Sequence, residues 1–148
     1  MATAGARNDP YKGFRFRLEI QSLQIAGFSE ATLPDMSIES TTYREGTDSF
    51  TRKLSGHMTV GTLSLKRGLT DSMDLYNWFS SVSQLGADVG GRKNISVILV
   101  DESGADKVRW NMTNTWPTKY STTDFSASSS EAMIETLELE VETVSRVK

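Results

Sequence analysis

The stretch TYREGTDSFTRKLSG at residues 42–56, followed by TVGTLSLK at 59–66 and DSMDLYNWFSSV at 71–82, decides how this chain is organised. The first part has neither the period of a helix nor that of a strand, so it predicts one long loop. The second part predicts a strand over residues 59–65, ended by Gly68, and the third predicts a helix over 71–85. A loop this long commonly contacts a partner, with Phe50 as a candidate anchor; the alternative is a solvated surface loop.

The predicted helix carries a single apolar stripe. Its members have the spacing i, i+3, i+4 and i+7, and they are Leu75, Trp78, Phe79 and Val82. Thr70, Asp71 or Ser72 can cap the first turn, and Gly86 is placed to end the helix. We interpret the stripe as packing against a sheet, in preference to a ligand box.

Two segments alternate strictly between apolar and polar residues, which is typical of half-buried strands. The segment 14–20 places Phe14, Phe16, Leu18 and Ile20 on one face and Arg15, Arg17 and Glu19 on the other. The segment 137–142 places Leu137, Leu139 and Val141 inward and Glu138, Glu140 and Glu142 outward. Because Glu135 shares the inward parity, it needs a cationic or hydrogen-bonding partner if it is buried.

Weaker patterns complete the set of strands. Residues 23–28 and 36–42 predict short strands separated by a break at Pro34 and Asp35. Residues 95–100 and 107–112 flank a polar turn and predict a β-hairpin, whereas 116–117 and 121–130 predict a surface loop. The predicted fold is therefore mainly β with one α-helix (α+β). It consists of two packed antiparallel sheets in a sandwich or partly open barrel, with the helix on one side.

Length and composition favour one ordered domain over residues 1–148, with a flexible segment at 1–10. The fractions of hydrophobic (37%) and charged (24%) side chains exclude disorder over most of the chain. The first residues lack the apolar region of a secretory signal, and the longest apolar run is too short to cross a bilayer. We therefore expect synthesis in the cytoplasm without a signal peptide and no membrane-spanning segment.

The charge is unevenly distributed along the chain. Residues 1–70 hold nine basic and seven acidic side chains, a net charge of +2, while residues 71–148 hold seven and twelve, a net charge of −5. The basic residues are scattered, without the strip that duplex binding requires. Such a chain can present complementary faces to copies of itself, although a single acidic surface is the simpler alternative.

No catalytic, cofactor or metal site is predicted. The chain has no cysteine and a single histidine, His57, which leaves no thiolate zinc site and no cysteine nucleophile. The sequence also contains no nucleophile elbow, phosphate loop or calcium loop. The row of Glu138, Glu140 and Glu142 could hold a cation, but an exposed or lumen-lining acidic face is the preferred interpretation. We therefore expect a protein that is not an enzyme.

An ordered series of short motifs resembles the tail tube (inner tube) family of contractile phage tails and related injection systems. The motifs are Asp9-Pro10-Tyr11 before the strand 14–20, Ala26-Gly27-Phe28-Ser29-Glu30, Tyr43-Arg44-Glu45-Gly46, Arg52-Lys53-Leu54, LSLKRGLTD at 63–71, Leu75-x-x-Trp78 and Trp116-Pro117-x-Lys119-Tyr120. Two departures are Ser55, where the family typically has proline, and Ala31-Thr32-Leu33-Pro34 in place of Ser-Gly-Leu. The series covers nearly the whole chain.

The resemblance implies a structural role. It implies hexameric rings with a shared β-barrel lining, stacked into a rigid hollow conduit that is enclosed by a sheath protein and rests on a baseplate. Its expected partners are other copies of the chain, the sheath, baseplate, spike and terminator proteins, and weakly bound luminal cargo, either effector protein or DNA. The expected host is bacterial or archaeal, and the particle is a phage tail or a tail-like particle that can be released extracellularly.

The resemblance also places an inter-subunit loop at residues 43–56. The partner-binding residues expected there are Tyr43, Arg44, Glu45, Phe50, Arg52 and Lys53. The alternative function is a small-ligand-binding β-barrel module, whose distinguishing feature is an enclosed apolar cavity of a few hundred Å³ within one chain, on the order of known ligand pockets.

Overall fold

The computed structural model describes residues 15–23, 27–47, 49–88, 90–128 and 130–148. The predicted flexible segment 1–10 and the predicted strand residue Phe14 lie outside this part. The described elements, in chain order, are β1 Phe16–Ile20, β2 Phe28–Thr32, β3 Met36–Tyr43, β4 Arg52–Val60, β5 Thr62–Gly68, α1 Asp74–Leu85, β6 Lys93–Val100, β7 Asp106–Thr122, β8 Ile134–Glu140 and β9 Thr143–Arg146.

The long strand β7 joins two antiparallel sheets. Its first half pairs with β6 and β9, and β6 pairs with β1 to complete sheet A. Its second half pairs with β8, which continues through β5 to β2 in sheet B. Asn114, with φ of 52°, lies where β7 passes from β9 to β8. Asparagine tolerates this left-handed backbone better than most residues, so β7 can turn the corner between the sheets.

The core lies between sheets A and B and beneath α1. Its buried apolar side chains are Ile20, Leu63, Leu65, Leu75, Trp78, Ile95, Val97, Met112, Leu137, Leu139 and Val141. Phe79 and Val82 pack against this cluster while half-buried, so the predicted apolar stripe of the helix does face the sheets. The buried indole N–H of Trp78 donates a 2.7 Å hydrogen bond to the carbonyl of Gly91, which ties α1 to the segment before β6.

The predicted fold class is confirmed in its coarse form: the chain is mainly β with one α-helix and antiparallel sheets. In the part of the chain that the structure describes, the strands do not close into a barrel, because β1 and β2 end the strand order without pairing with each other. The predicted hairpin is β6 and β7. In its turn the Asp101 carboxylate accepts hydrogen bonds from Ser103 and Ala105, which lowers the pKa of Asp101 to about 2.

The predicted loop at 42–56 is wrong at both of its ends. Thr42 and Tyr43 end β3, and residues 52–56 begin β4, which pairs with β3 in an antiparallel two-stranded sheet. The segment predicted as one strand over 59–65 belongs to two strands, with Gly61 between β4 and β5. The error has a physical cause, since both faces of β3 and β4 are exposed and neither strand shows a buried period.

Other boundaries also differ from the prediction. The second strand is Phe28–Thr32 rather than 23–28; Leu23 forms only an isolated bridge with Ile20, and 24–26 lie outside the described residues. Residues 116–122 belong to β7 rather than to a loop, and β9 was not predicted. The helix begins at Asp74 after Met73, without a side-chain cap from residues 70–72, and Gly86 ends it with φ of 84°.

Candidate assembly surface

A two-stranded arm, formed by β3 and β4 over residues 36–60, projects from the domain. Every residue of β3 is exposed, and so is every residue of β4 except Val60. Within the described chain, the two strands make extensive contact only with each other. An isolated two-stranded hairpin is at best marginally stable in water, so an arm of this kind gains stability when another surface covers it.

The arm continues sheet B without a long connection. Three residues separate β2 from β3, and Gly61 alone separates β4 from β5. At this junction the Gly61 N–H donates a 2.7 Å hydrogen bond to the Asp35 carbonyl. A Cβ atom at position 61 would lie 3.2 Å from the Asp35 nitrogen, so glycine permits the close approach of the two chains. The pairing of sheet B therefore carries on into the arm.

The two faces of the arm differ in chemistry. Met36, Ile38 and Met58 lie on one face, with exposures of 45%, 64% and 52%. Val60 shares this face and packs against the core, so the apolar face of the arm continues the core side of sheet B. The opposite face is polar near the base, where a 2.7 Å hydrogen bond joins the hydroxyls of Ser37 and Thr59.

A β-bulge interrupts the arm halfway along its length. The register shifts between Ile38 and Ser40, so that two residues of β4, Gly56 and His57, lie opposite Glu39. A Cβ atom at Gly56 would come within 3.2 Å of the Glu39 carbonyl oxygen. Because bulges bend a strand pair and increase its local twist, this bulge changes the direction of the outer half of the arm relative to its base.

The six residues predicted to contact partners all lie at or near the tip of the arm. Tyr43 pairs with Arg52 in the register, and Lys53 is the next residue of β4. The Arg52 guanidinium stands 5.5 Å from the centre of the Phe50 ring, a cation–π distance. Arg44 and Glu45 follow Tyr43 in the connection between the strands, of which Asp48 lies outside the described residues.

The sequence does not predict the apolar face of the arm. Met36 and Ile38 alternate in one strand, and Met58 and Val60 alternate in the other. This alternation is the signal of a half-buried strand, but each run is only two apolar residues long. The structure adds the pairing that brings the two runs together on one face.

Glu135 has the partners that its inward parity requires. It is 1% exposed and forms an ion pair with Arg67, its register partner on β5, while the Tyr120 hydroxyl donates a 2.8 Å hydrogen bond to its other oxygen. Burial and the neighbouring Glu135 carboxylate raise the pKa of Tyr120 to about 12. The half-buried ring of Phe79 and the more exposed ring of Tyr76 pack against Tyr120, and these contacts hold α1 on sheet B.

The two polar strand faces singled out in the sequence are organised differently. On sheet A, Arg17 pairs with Asp106 at 3.0 Å and Arg109 pairs with Glu19 at 3.2 Å.

The expected glutamate row on β8 holds only Glu138 and Glu140, because the strand ends there and the chain turns before β9. Glu142 accepts a hydrogen bond from the Asn114 amide at 2.9 Å instead. The polar outer face of sheet B includes Ser64, Lys66, Lys119, Thr136, Glu138 and Glu140.

An open cleft of about 290 Å³ separates β2 from sheet A. Phe16, Ala31, Leu33, Val97 and Trp110 contribute to its wall. Among the described residues, no group of three or more histidines, cysteines or carboxylates is placed to share a metal ion. In the same part of the chain, α1 is too short to cross a membrane, and it is the only helix.

Comparison with known proteins gives one family and a set of similar folds. The family model described as T4-like virus tail tube protein gp19 matches residues 12–145. No curated protein sequence matches the chain.

Three solved structures illustrate the similarity. A chain of the tube terminating cap of the anti-feeding prophage is 25% identical with a TM-score of 0.86, covering 98% of this chain and 95% of that one. A chain of the sheath–tube complex of the extracellular contractile injection system PVC, in its extended state, is 22% identical with a TM-score of 0.81 (93% and 91%). A chain of the 6-fold symmetrised anti-feeding prophage baseplate is 20% identical with a TM-score of 0.79 (95% and 97%).

Proposed function

The chain belongs to the T4-like virus tail tube protein family, and from this membership we propose that six copies form a ring and that rings stack into a hollow conduit. The observation that carries the proposal is the uncovered arm. An exposed two-stranded sheet with an apolar face is unfavourable in an isolated protein, and covering it with neighbouring copies removes that cost. Tyr43, Arg44, Glu45, Phe50, Arg52 and Lys53 then contact other subunits.

The open sheet edges support lateral association. Among the described residues, β1 and β2 end the strand order, and an edge strand presents backbone donors and acceptors that can pair with another chain. A head-to-tail contact between different surfaces of the same chain closes into a ring when its rotation divides a full turn. Ring closure leaves no edge open, in the same way that a barrel does.

Sheet B, extended by the arm, is the best candidate for the wall of the channel. Sheet B has four strands, so six copies give 24 strands, and at a spacing of about 4.8 Å with ordinary tilt their barrel is roughly 40–50 Å across. A single 148-residue domain is itself roughly 35–40 Å across. Six cores cannot fit inside such a barrel, so the core side of sheet B must face outward. The polar face of sheet B, which is the side away from the core and carries Lys66, Glu138 and Glu140, then lines the lumen.

A lumen of this composition suits a passive conduit. It presents hydroxyls and charges of both signs, and its large apolar side chains among the described residues, Trp116 and Ile134, lie at opposite ends of β8 and so form no continuous patch that would retain a passing molecule. The tube carries effector protein or DNA, lies within a sheath, and meets baseplate and terminator proteins at its ends. The chain serves as a structural component of a phage tail or tail-like particle, without catalysis. The similar folds come from a sheath–tube complex, a baseplate and a tube cap, which supports these partners.

Electron microscopy of the purified full-length chain tests this function. We expect sixfold rings and stacked tubes from the wild type. In a shortened arm, residues 41–54 are replaced by Asn-Gly between Ser40 and Ser55, which already face each other in the register. Because this variant loses strand residues of the arm alone, it should keep a cooperative unfolding transition followed by circular dichroism and lose stacking. Full-length tubes from the shortened variant would show that the arm is not needed for the contact between stacked rings. A wild-type chain that stays monomeric would overturn the proposed function.

The alternative function, a small-ligand-binding β-barrel, has less support. It requires an enclosed apolar cavity within one chain, whereas the cleft between β2 and sheet A is open to solvent. The ligand model also gives no role to the arm.

A further inference from the structure

The arm and the loop between β7 and β8 leave sheet B at opposite ends. Thr62 pairs with Glu140 at the end where the arm begins, and Gly68 pairs with Ile134 at the other end. The loop 123–133, of which residues 123–128 and 130–133 are described, connects β7 to Ile134, and its described residues therefore lie at that second end. When copies stack head to tail along the strand direction, the arm of one copy points toward the 123–133 loop of the next.

The loop carries a pocket large enough for one aromatic side chain. The pocket has a volume of about 270 Å³, and Asp124, Phe125, Ser126, Glu131 and Met133 contribute to its wall. Phe125 is 86% exposed, the most exposed of the large apolar side chains in the described part of the chain. The pocket therefore combines an aromatic ring, a thioether and two carboxylates at the end of the sheet.

The arm tip and the loop carry charge of opposite sign. Residues 43–54 contain Arg44, Arg52 and Lys53 against two acids, a net charge of +1. Residues 123–133 contain Asp124 and Glu131 and no basic residue, a net charge of −2. The two halves of the chain differ in the same sense, because residues 1–70 carry a net charge of +2 and residues 71–148 a net charge of −5. Opposite potentials favour one register between two surfaces and disfavour contacts between like ends.

We propose that the arm tip of one copy docks on the 123–133 loop of the next copy along the tube. Phe50, which is 61% exposed, enters the pocket beside Phe125, and Arg52 and Lys53 lie against Asp124 and Glu131. The inference rests on the proposed function, because it assumes head-to-tail stacking, and it adds the surface that receives the arm.

Charge reversal tests the contact. The pair Arg52→Glu with Lys53→Glu should leave single rings and abolish stacked tubes, and the pair Asp124→Lys with Glu131→Lys should do the same. The combination of all four substitutions should restore tubes, because the attraction is re-formed with inverted sign. The matched control is Asp88→Lys, an exposed acid outside both surfaces, which should form normal tubes. Failure of the four-fold variant to restore tubes, with both pairs folded and ring-forming, would overturn the proposal.

Cysteine cross-linking tests the same contact with small substitutions. Because the chain has no cysteine, Ser49→Cys with Ser126→Cys introduces only one pair of thiols per copy. Oxidised tubes should give a ladder of linked chains on a non-reducing gel, whereas Ser49→Cys with Ser103→Cys should give none. Tubes without a ladder would overturn the docking site but leave the tube itself intact. Absence of tubes from the wild type would instead count against the proposed function.

Discussion

At the scale of single residues, the most demanding feature is a charged pair inside the core. Arg67 and Glu135 are 4% and 1% exposed, and neither could be buried alone without a large desolvation cost. The parity of Glu135 on β8 predicted that it needs a partner, but the sequence did not identify Arg67. The reason is that the two residues are 68 positions apart and meet only through the register of β5 and β8.

Removing one member of this pair should be strongly destabilising. Arg67→Met leaves the Glu135 carboxylate buried without its cation, and we expect the free energy of unfolding to fall by about 3–5 kcal/mol. Tyr120→Phe removes one hydrogen bond to the same carboxylate and should cost about 1.5–3 kcal/mol. Urea unfolding followed by circular dichroism measures both changes.

The double variant Arg67→Met with Glu135→Leu distinguishes two causes of the lost stability, the unpaired buried charge and the missing shape of the Arg67 side chain. Because it removes both charges together, it should recover most of the stability lost by Arg67→Met. A double variant as unstable as the single one would show that the shape of the Arg67 side chain, and not the unpaired charge, is what the core requires.

At the scale of elements, the sequence predicts those strands of which one face is buried by the chain itself. Residues 16–20 and 134–140 alternate because one side of each faces the core, and the stripe of α1 follows the same rule. The arm was predicted as a loop because both of its faces are exposed in a single chain. The expected partner-binding residues of the arm, at 43–53, follow from the resemblance to the family. The shared apolar face of Met36, Ile38 and Met58 can be recognised only when the register between β3 and β4 is known.

The apolar face of the arm should matter for assembly and not for folding. Ile38→Ser with Met58→Ser removes two side chains that are 64% and 52% exposed, so the unfolding free energy of the domain should change by no more than about 0.5 kcal/mol. Tube formation, measured by sedimentation and electron microscopy, should be lost. Thr41→Ser on the opposite face is the matched control and should assemble normally. Normal tubes from the double variant would show that this face stays in water.

At the scale of the whole molecule, the chain has two polar strand faces, and its architecture distinguishes them. The sequence left open which one lines the lumen, because both alternate equally well. Only sheet B is continued by the arm, and the core occupies its other side, which assigns Glu138 and Glu140 to the channel in the proposed tube. The paired charges of sheet A, such as Arg17 with Asp106, then belong to the outer part of the ring.

This assignment predicts a difference in accessibility within assembled tubes. Glu140→Cys places a thiol on the face of sheet B, and Ser145→Cys places one on β9 of sheet A, in a chain that has no cysteine of its own. Biotin maleimide is small enough to diffuse along the channel and should label both variants. Streptavidin added to intact tubes should then bind the Ser145→Cys tubes along their length and the Glu140→Cys tubes only at their ends. Streptavidin is a tetramer of four domains and is therefore too wide for a channel that is roughly 40–50 Å across at the backbone and narrower between the side chains. Uniform decoration of the Glu140→Cys tubes would place sheet B on the outside.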